Sequence, residues 1–300
     1  ELFNSLKNYS TKTFVSDLIA GVIVGVVALP LAIAFAIASG VSPERGLFTA
    51  IIAGFCISFF GGSKVQIGGP TGAFAVIVYG VVNKFGYEGL VIATIMAGIL
   101  LILLGAFKMG GLVKFIPYTI VTGFTAGIAV TILTGQIGDF FGLTTGKMPG
   151  DFVGKIKVYI ESFNTINWYS FGIAAISLIV IFLWPKINKK VPGSLIVIIL
   201  ATVVSLILEH TLGWKTDTIG SRYGAIPSSL PAPTIPGINL ELIKQLFPTA
   251  ISIAVLAAIE SLLSAVVADG MIGSKHDSNT ELIAQGIANI ASPIFGGIPA

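Results

Sequence analysis

The chain has 300 residues, 54% of them hydrophobic and only 10% charged, against about 25% charged in a soluble domain. That leaves too little polar surface to cover a water-soluble globule, so lipid is the natural solvent of this sequence. The net charge of +3 is spread between apolar runs, which excludes a nucleic-acid-binding stripe; the single cysteine, Cys56, excludes an internal disulfide, and two distant histidines, His210 and His276, exclude a metal-ligand cluster.

A spanning helix needs roughly 20 mostly apolar residues. Residues 1–17 are polar and amphipathic, with Lys7 and Lys12, and read as a cytoplasmic surface helix. Apolar runs follow at 18–39, with Pro30 inside, and at 47–60. A Gly/Pro-rich interruption, 61–70, precedes a third run at 71–82 that is too short to span. Further runs lie at 90–107 and 115–137. The polar stretch 138–167 predicts a surface helix near 152–163, and apolar runs resume at 168–184 and 193–208. The Pro-, Ser- and Gly-rich stretch 209–239 predicts an irregular loop. An eighth run covers 243–268, and a short ninth, 282–295, ends in Gly296-Gly297-Ile298-Pro299-Ala300. Lys186, Lys189 and Lys190 share one short loop, while the short loops on the opposite side hold only Arg45 and Lys84, which predicts the N-terminus inside.

The pattern repeats. Ala38-Ser39-Gly40 closes the first run and Gly68-Gly69-Pro70 follows; Ala268-Asp269-Gly270 closes the eighth, and Gly296-Gly297-Ile298-Pro299 follows at nearly the same spacing. Seven spans separate the copies, and an odd number inverts the second relative to the first. Matched Gly/Pro-interrupted short segments point to a transporter binding site, although two ordinary Gly/Pro loops would give the same letters.

A helix that starts inside the membrane leaves its first N–H groups without partners and its positive dipole end exposed, a setting suited to an anion. Pro70 fits a first helical position because it has no N–H to strand. Thr71 adds a hydroxyl donor, and Gly72 and Ala73 let a ligand approach the backbone. Glu260 lies mid-way along the eighth run, where a carboxyl group is costly and marks function by default; it would exchange a proton as an anion binds. The alternative is that Glu260 only hydrogen-bonds a neighbouring helix. Asp269, near the end of that run, reads as solvated or capping, and Asp17, Glu44 and Glu88 as interfacial. Thr119, Thr122, Thr125 and Gln136 read as helix-packing groups, and Phe35 as packing unless the first span lines the site.

These segments resemble the SulP (sulfate permease) anion transporter family. The resemblance rests on Ala28-Leu29-Pro30-Leu31-Ala32-Ile33-Ala34-Phe35-Ala36, Ser39-Gly40-Val41-Ser42-Pro43, Gly46-Leu47-Phe48-Thr49-Ala50, Phe60-Gly61-Gly62-Ser63, Gly69-Pro70-Thr71-Gly72-Ala73, and the run from Ala258 through Glu260 to Asp269. It implies an all-α integral membrane protein of inverted seven-helix repeats, with core and gate domains and short half-helices at the midplane. The chain would cover about the first nine spans, with the rest of the repeat and a cytoplasmic STAS domain lying beyond it. The implied division is a surface segment at 1–17, core helices at 18–111, gate helices at 112–210, an extracellular loop at 211–242, and core helices with the start of a tenth helix at 243–300.

The implied activity is secondary transport of a small anion (sulfate, bicarbonate or a dicarboxylate) by movement of core against gate in a multi-pass cell-membrane protein. Thr71, Gly72, Ala73, Gln66, Pro70, Phe35 and Ala300 are the implied anion-site residues. Glu260 is the implied coupling residue, with a proton favoured over sodium because the family pairs Glu there with protons. The resemblance further implies a homodimer and no cofactor, metal or nucleic acid. Other readings are an uncoupled exchanger or channel-like conductance, a nucleobase-type permease, and a membrane-embedded enzyme; the last is disfavoured because no His-Glu-x-x-His run or Ser/His pair is seen at membrane depth.

Overall fold

The computed structural model describes residues 9–111, 118–146, 148–188, 191–214, 216–234, 236–237 and 240–300. Residues 1–8 of the predicted surface helix, the start of the fifth run at 115–117, and Lys147, Lys189, Lys190 and Lys215 lie outside the described residues. The described chain is helical: α1 (Thr11–Ala38), α2 (Pro43–Phe60), a 3-10 turn (Gly72–Phe74), α3 (Ala75–Ala106), α4 (Tyr118–Phe141), α5 (Phe152–Glu161), α6 (Trp168–Ile187), α7 (Gly193–Leu212), α8 (Ile219–Tyr223), α9 (Leu240–Ile272) and α10 (Ser278–Ile294). A second 3-10 turn, Phe163–Thr165, follows α5. Among the described residues, seven helices are long and apolar enough to cross a membrane.

Helix boundaries follow local chemistry. Ser10 caps α1 by accepting the Thr13 N–H at 3.1 Å, so that helix starts inside the segment expected to lie on the surface. Ser42 and Pro43 open α2 with Pro in the first turn. The short third run and the fourth run share one helix, α3, broken at Gly86, whose φ of 69° and ψ of −176° interrupt the helical path. The stretch 209–239 is not wholly irregular: Thr218 and Ser221 form a reciprocal capping box that starts α8. Pro30, Pro248 and Pro293 sit inside α1, α9 and α10, as membrane helices tolerate when neighbouring groups re-satisfy the freed backbone.

The chain divides into two compact units. The first comprises the described residues of Glu1–Val15, Leu29–Ala126 and Ile226–Ala300. Its core is built by the Gly72–Phe74 turn with α3, α9 and α10: Phe74, Val78, Leu90, Ala97, Leu101, Ile253 and Leu282 are all buried in one apolar cluster. Close approach of α3 and α10 requires glycine. A Cβ on Gly98 would stand 2.7 Å from the Gly286 carbonyl oxygen, the small-residue contact that replaces the hydrophobic drive missing in lipid.

The second unit comprises Ser16–Ala28 and the described residues of Gly127–Ala225. Its helices α6 and α7 pack on each other. Their apolar windows are 0% and 6% buried by the described residues. Phe141 and Phe171 stack at 5.3 Å. Arg222 bridges Asp139 at 2.8 Å and Asp217 at 3.0 Å.

Candidate functional site

Two extended segments enter the first unit, one after α2 and one after α10. Extended backbone has no internal hydrogen bonds, so at membrane depth side chains must supply them. On the first segment, Glu281 Oε2 accepts from the Gly62 N–H at 2.9 Å and the Ser63 N–H at 3.2 Å. Gln66 Nε2 donates to the Ser261 carbonyl and to its hydroxyl, both at 3.0 Å. Ser261 Oγ in turn donates to Glu281 Oε1 at 3.4 Å.

The second segment is held the same way. The Ile298 N–H donates to Thr49 Oγ1 at 2.7 Å, and Ser292 Oγ donates to the Ile298 carbonyl at 2.8 Å. The Ala300 N–H donates to Asn289 Oδ1 at 3.0 Å, while the Ala300 carbonyl accepts from Gln285 Nε2 at 2.8 Å and Asn289 Nδ2 at 3.0 Å. Tyr87 OH donates to the Gly297 carbonyl at 2.7 Å. Arg45 lies 3.4 Å over the Tyr87 ring and donates to the Gly296 carbonyl at 3.1 Å. The sequence assigned Arg45 only to a loop charge count; the structure makes it an anchor.

Both segments reach one cavity of about 190 Å³. Gln66, Gly69, Pro70, Thr71 and Phe74 form one side. Ala257, Glu260, Ser261 and Ser264 of α9 form another, and Gln285 and Ala300 complete it. Thr71 Oγ1 donates to Glu260 Oε1 at 2.6 Å, a short bond between the start of the broken helix and the mid-helix carboxyl group. The same hydroxyl oxygen accepts the Ala73 N–H at 3.3 Å.

Of the residues singled out from sequence, Gln66, Pro70, Thr71, Glu260 and Ala300 therefore meet at this cavity. Gly72 and Ala73 form the 3-10 turn behind Thr71, and Phe35 is half-buried on α1; these three are not among the lining residues. Pro70 is not the first helical residue. Thr71, extended at φ −130° and ψ 150°, is the cap and the turn begins at Gly72, because a threonine hydroxyl can accept an orphan N–H and a proline cannot.

Sequence reasoning missed Glu281, Gln285, Asn289 and Ser292. All four are buried on α10, and their spacing of four, four and three is a polar stripe on one helical face. That periodicity was a readable signal. It was masked by the polar residues 274–281, which resemble an ordinary loop and helix start.

The loop before α10 is also tied down. Asp269 Oδ2 accepts from the His276 N–H at 2.9 Å and contacts His276 Nδ1 at 2.7 Å, while Ser278 Oγ lies 2.9 Å from His276 Nε2. Asp269 thus acts in a loop clasp, and His276 acquires a role that the sequence did not assign. Asp277 caps α10. Chiefly the Thr280 N–H holds its carboxyl below the usual carboxylate range; desolvation opposes this, and the Asn279 N–H adds a smaller lowering.

A family model described as "Sulfate permease family" matches residues 14–300. The Bacillus subtilis (strain 168) protein named "Putative sulfate transporter YvdB" is 50% identical over 294 residues, 98% of this chain and 55% of its own length. "Bicarbonate transporter BicA" of Picosynechococcus sp. (strain ATCC 27264 / PCC 7002 / PR-6) is 32% identical over 271 residues, 87% of this chain and 47% of its own length. The chain thus spans about half the length of these relatives. Among solved structures, the transmembrane domain of a cyanobacterium bicarbonate transporter BicA superposes with a TM-score of 0.81 at 32% identity, covering 94% of this chain and 72% of that one. SLC26A9 gives the same TM-score of 0.81 at 20% identity, covering 99% of this chain and 50% of that one, which is likeness of fold. With a match that runs from residue 14 to residue 300, the chain belongs to the sulfate permease family.

Proposed function

We propose that the whole protein is a secondary transporter of a small inorganic or organic anion in the cell membrane. The anion class includes sulfate, bicarbonate and dicarboxylates. The observation that carries this reading is the short bond of Thr71 to Glu260 at the start of a broken helix, on a cavity that Gln66 and Ser264 also line. Amide groups at a helix start favour negative charge, and the adjacent carboxyl group gives the site a means of balancing that charge.

In this reading Glu260 takes up a proton as the anion binds, so anion and proton cross as a less charged pair, and sodium is the less favoured coupling ion. Helices of 18–111 and 243–300 act as the core and those of 112–210 as the gate, with the core carrying the anion in an elevator-type step. The protein works as a homodimer. The test is anion uptake by the full-length protein in liposomes. Wild-type uptake rises as external pH falls, and Glu260→Gln lowers uptake and abolishes its pH response. Uptake that ignores both pH and the substitution would instead identify an uncoupled exchanger.

A further inference from the structure

Thr71 and Glu260 meet on the cavity, and both residues are half-buried. Beyond its bond to Cβ, Thr71 Oγ1 has three tetrahedral directions, shared by one proton and two lone pairs. One lone pair accepts the Ala73 N–H at 3.3 Å. A second direction points at Glu260 Oε1, 2.6 Å away. The third is left for a solute in the cavity that Thr71 lines. While Glu260 is ionised it has no proton of its own, so the Thr71 proton lies in the contact, at a length usual for a hydroxyl donating to a carboxylate. The third direction then carries a lone pair, which repels an anion. Once Glu260 is protonated, its own O–H can fill the contact, and the Thr71 proton has only the third direction left. No proton leaves Thr71; its O–H rotates. Among the described residues lining the cavity, Glu260 alone is titratable. Of the elements packed on α9, α3 places no charged group there, and α10 brings Glu281, whose oxygens serve Gly62, Ser63 and Ser261. Asp269, on α9 itself, is engaged by His276.

We propose that Thr71 is the residue through which Glu260 sets anion affinity: its hydroxyl turns to the anion as a donor only when Glu260 is protonated. This rests on the proton-coupled reading above and assigns the coupling to one hydroxyl group. A hydrogen bond to a charged group strengthens binding by about tenfold to a hundredfold. By linkage, proton and anion then favour each other's binding by the same factor, so they load together. Repulsion between the Glu260 carboxylate and the anion acts in the same direction without Thr71, and the test separates the two.

The test is isothermal titration of the purified full-length protein with sulfate, fumarate and bicarbonate, the last counted at its ionised concentration. Affinity is compared at two pH values, one on each plateau of the wild-type response. Thr71→Val removes the hydroxyl and keeps the size of the side chain. It should bind at least about tenfold more weakly than the wild type on the acid plateau, and within about twofold of it on the alkaline plateau. Thr71→Ser should follow the wild type on both. Thr71→Ala provides the same reading should the Val variant fail to fold. In a Glu260→Gln background the cost of Thr71→Val should be equal at the two pH values. An equal loss on both plateaus without that background overturns the proposal, since the variant then keeps its full pH response and charge repulsion suffices. A wild type that binds an anion with the same affinity at both pH values removes proton coupling and the proposal with it, while leaving the anion site. Binding of none of the three anions removes the anion site as well.

Discussion

Glu281 offers a direct test of how the first extended segment is held. Its side chain is fully buried and one carboxyl oxygen receives two backbone N–H groups, from Gly62 at 2.9 Å and Ser63 at 3.2 Å. In Glu281→Ala both donors lose their partner, the Gly62 N–H at a buried position and the Ser63 N–H at a part-buried one. The buried donor costs about 1–3 kcal/mol and the part-buried one less, so the variant should be about 1–4 kcal/mol less stable. Glu281→Gln keeps an oxygen that can accept both N–H groups and places its NH₂ toward Ser261. It gives up the extra strength of carboxylate acceptance and the long Ser261 O–H bond to Oε1, together about 1–2 kcal/mol. Thermal unfolding of the purified full-length protein should rank wild type above Gln and Gln well above Ala. Gln66 and Thr71 follow on the same segment, so anion affinity measured by titration should fall with stability in the Ala variant. An Ala variant that melts with the wild type would refute the argument, since the segment would then be held by something other than this carboxyl group.

Gly98→Ala drives a methyl group to 2.7 Å from the Gly286 carbonyl and 2.8 Å from Ile290 Cγ1; overpacking should cost about 1–3 kcal/mol in thermal unfolding. Gly25→Ala on α1 is the matched control, because nothing lies within 4 Å of its added Cβ, and better helix propensity should make it neutral or up to about 1 kcal/mol stabilising. Asp277 ionises below its usual range in the folded protein, so its contribution is fully present above the unfolded value of about 3.9 and is lost as pH falls through the folded value. The melting-temperature advantage of wild type over Asp277→Asn should therefore be flat near neutrality and shrink in acid.

The fold was legible where lipid imposes a simple demand. Runs such as 168–184 and 193–208 have no alternative to helix, and the structure finds Trp168–Ile187 and Gly193–Leu212. Ends were less legible, because a helix leaving the bilayer continues while its caps and partners allow it. Ser10 and Asp277 set two such ends with a single hydrogen-bonding side chain each. Gly86 was harder still, since one residue in the left-handed region divides α3 without any change in composition.

At the site, Glu260 and the Gly69-Pro70-Thr71 corner stood out because each violates a rule of membrane helices: a carboxyl group in an apolar run, and a break where backbone needs partners. Glu281, Gln285 and Asn289 break no such rule, because a polar residue near a helix start is ordinary. Their meaning depends on what α10 faces. Packed against α2 and α3, the same stripe becomes a row of donors and acceptors for two strands of unpaired backbone. The two sets are therefore complementary. The broken segments create donors and acceptors that lipid cannot satisfy, and the α10 stripe meets those of Gly62, Ser63, Ile298 and Ala300. Of the four buried side-chain atoms without a hydrogen-bond partner among the described residues, three belong to Gln66, Glu260 and Gln285, which line the cavity, and the fourth is Ser39 Oγ. Backbone that leaves the helical path at such a site has to be understood together with the polar face of the helix packed against it, because burying an unpaired donor or acceptor is costly.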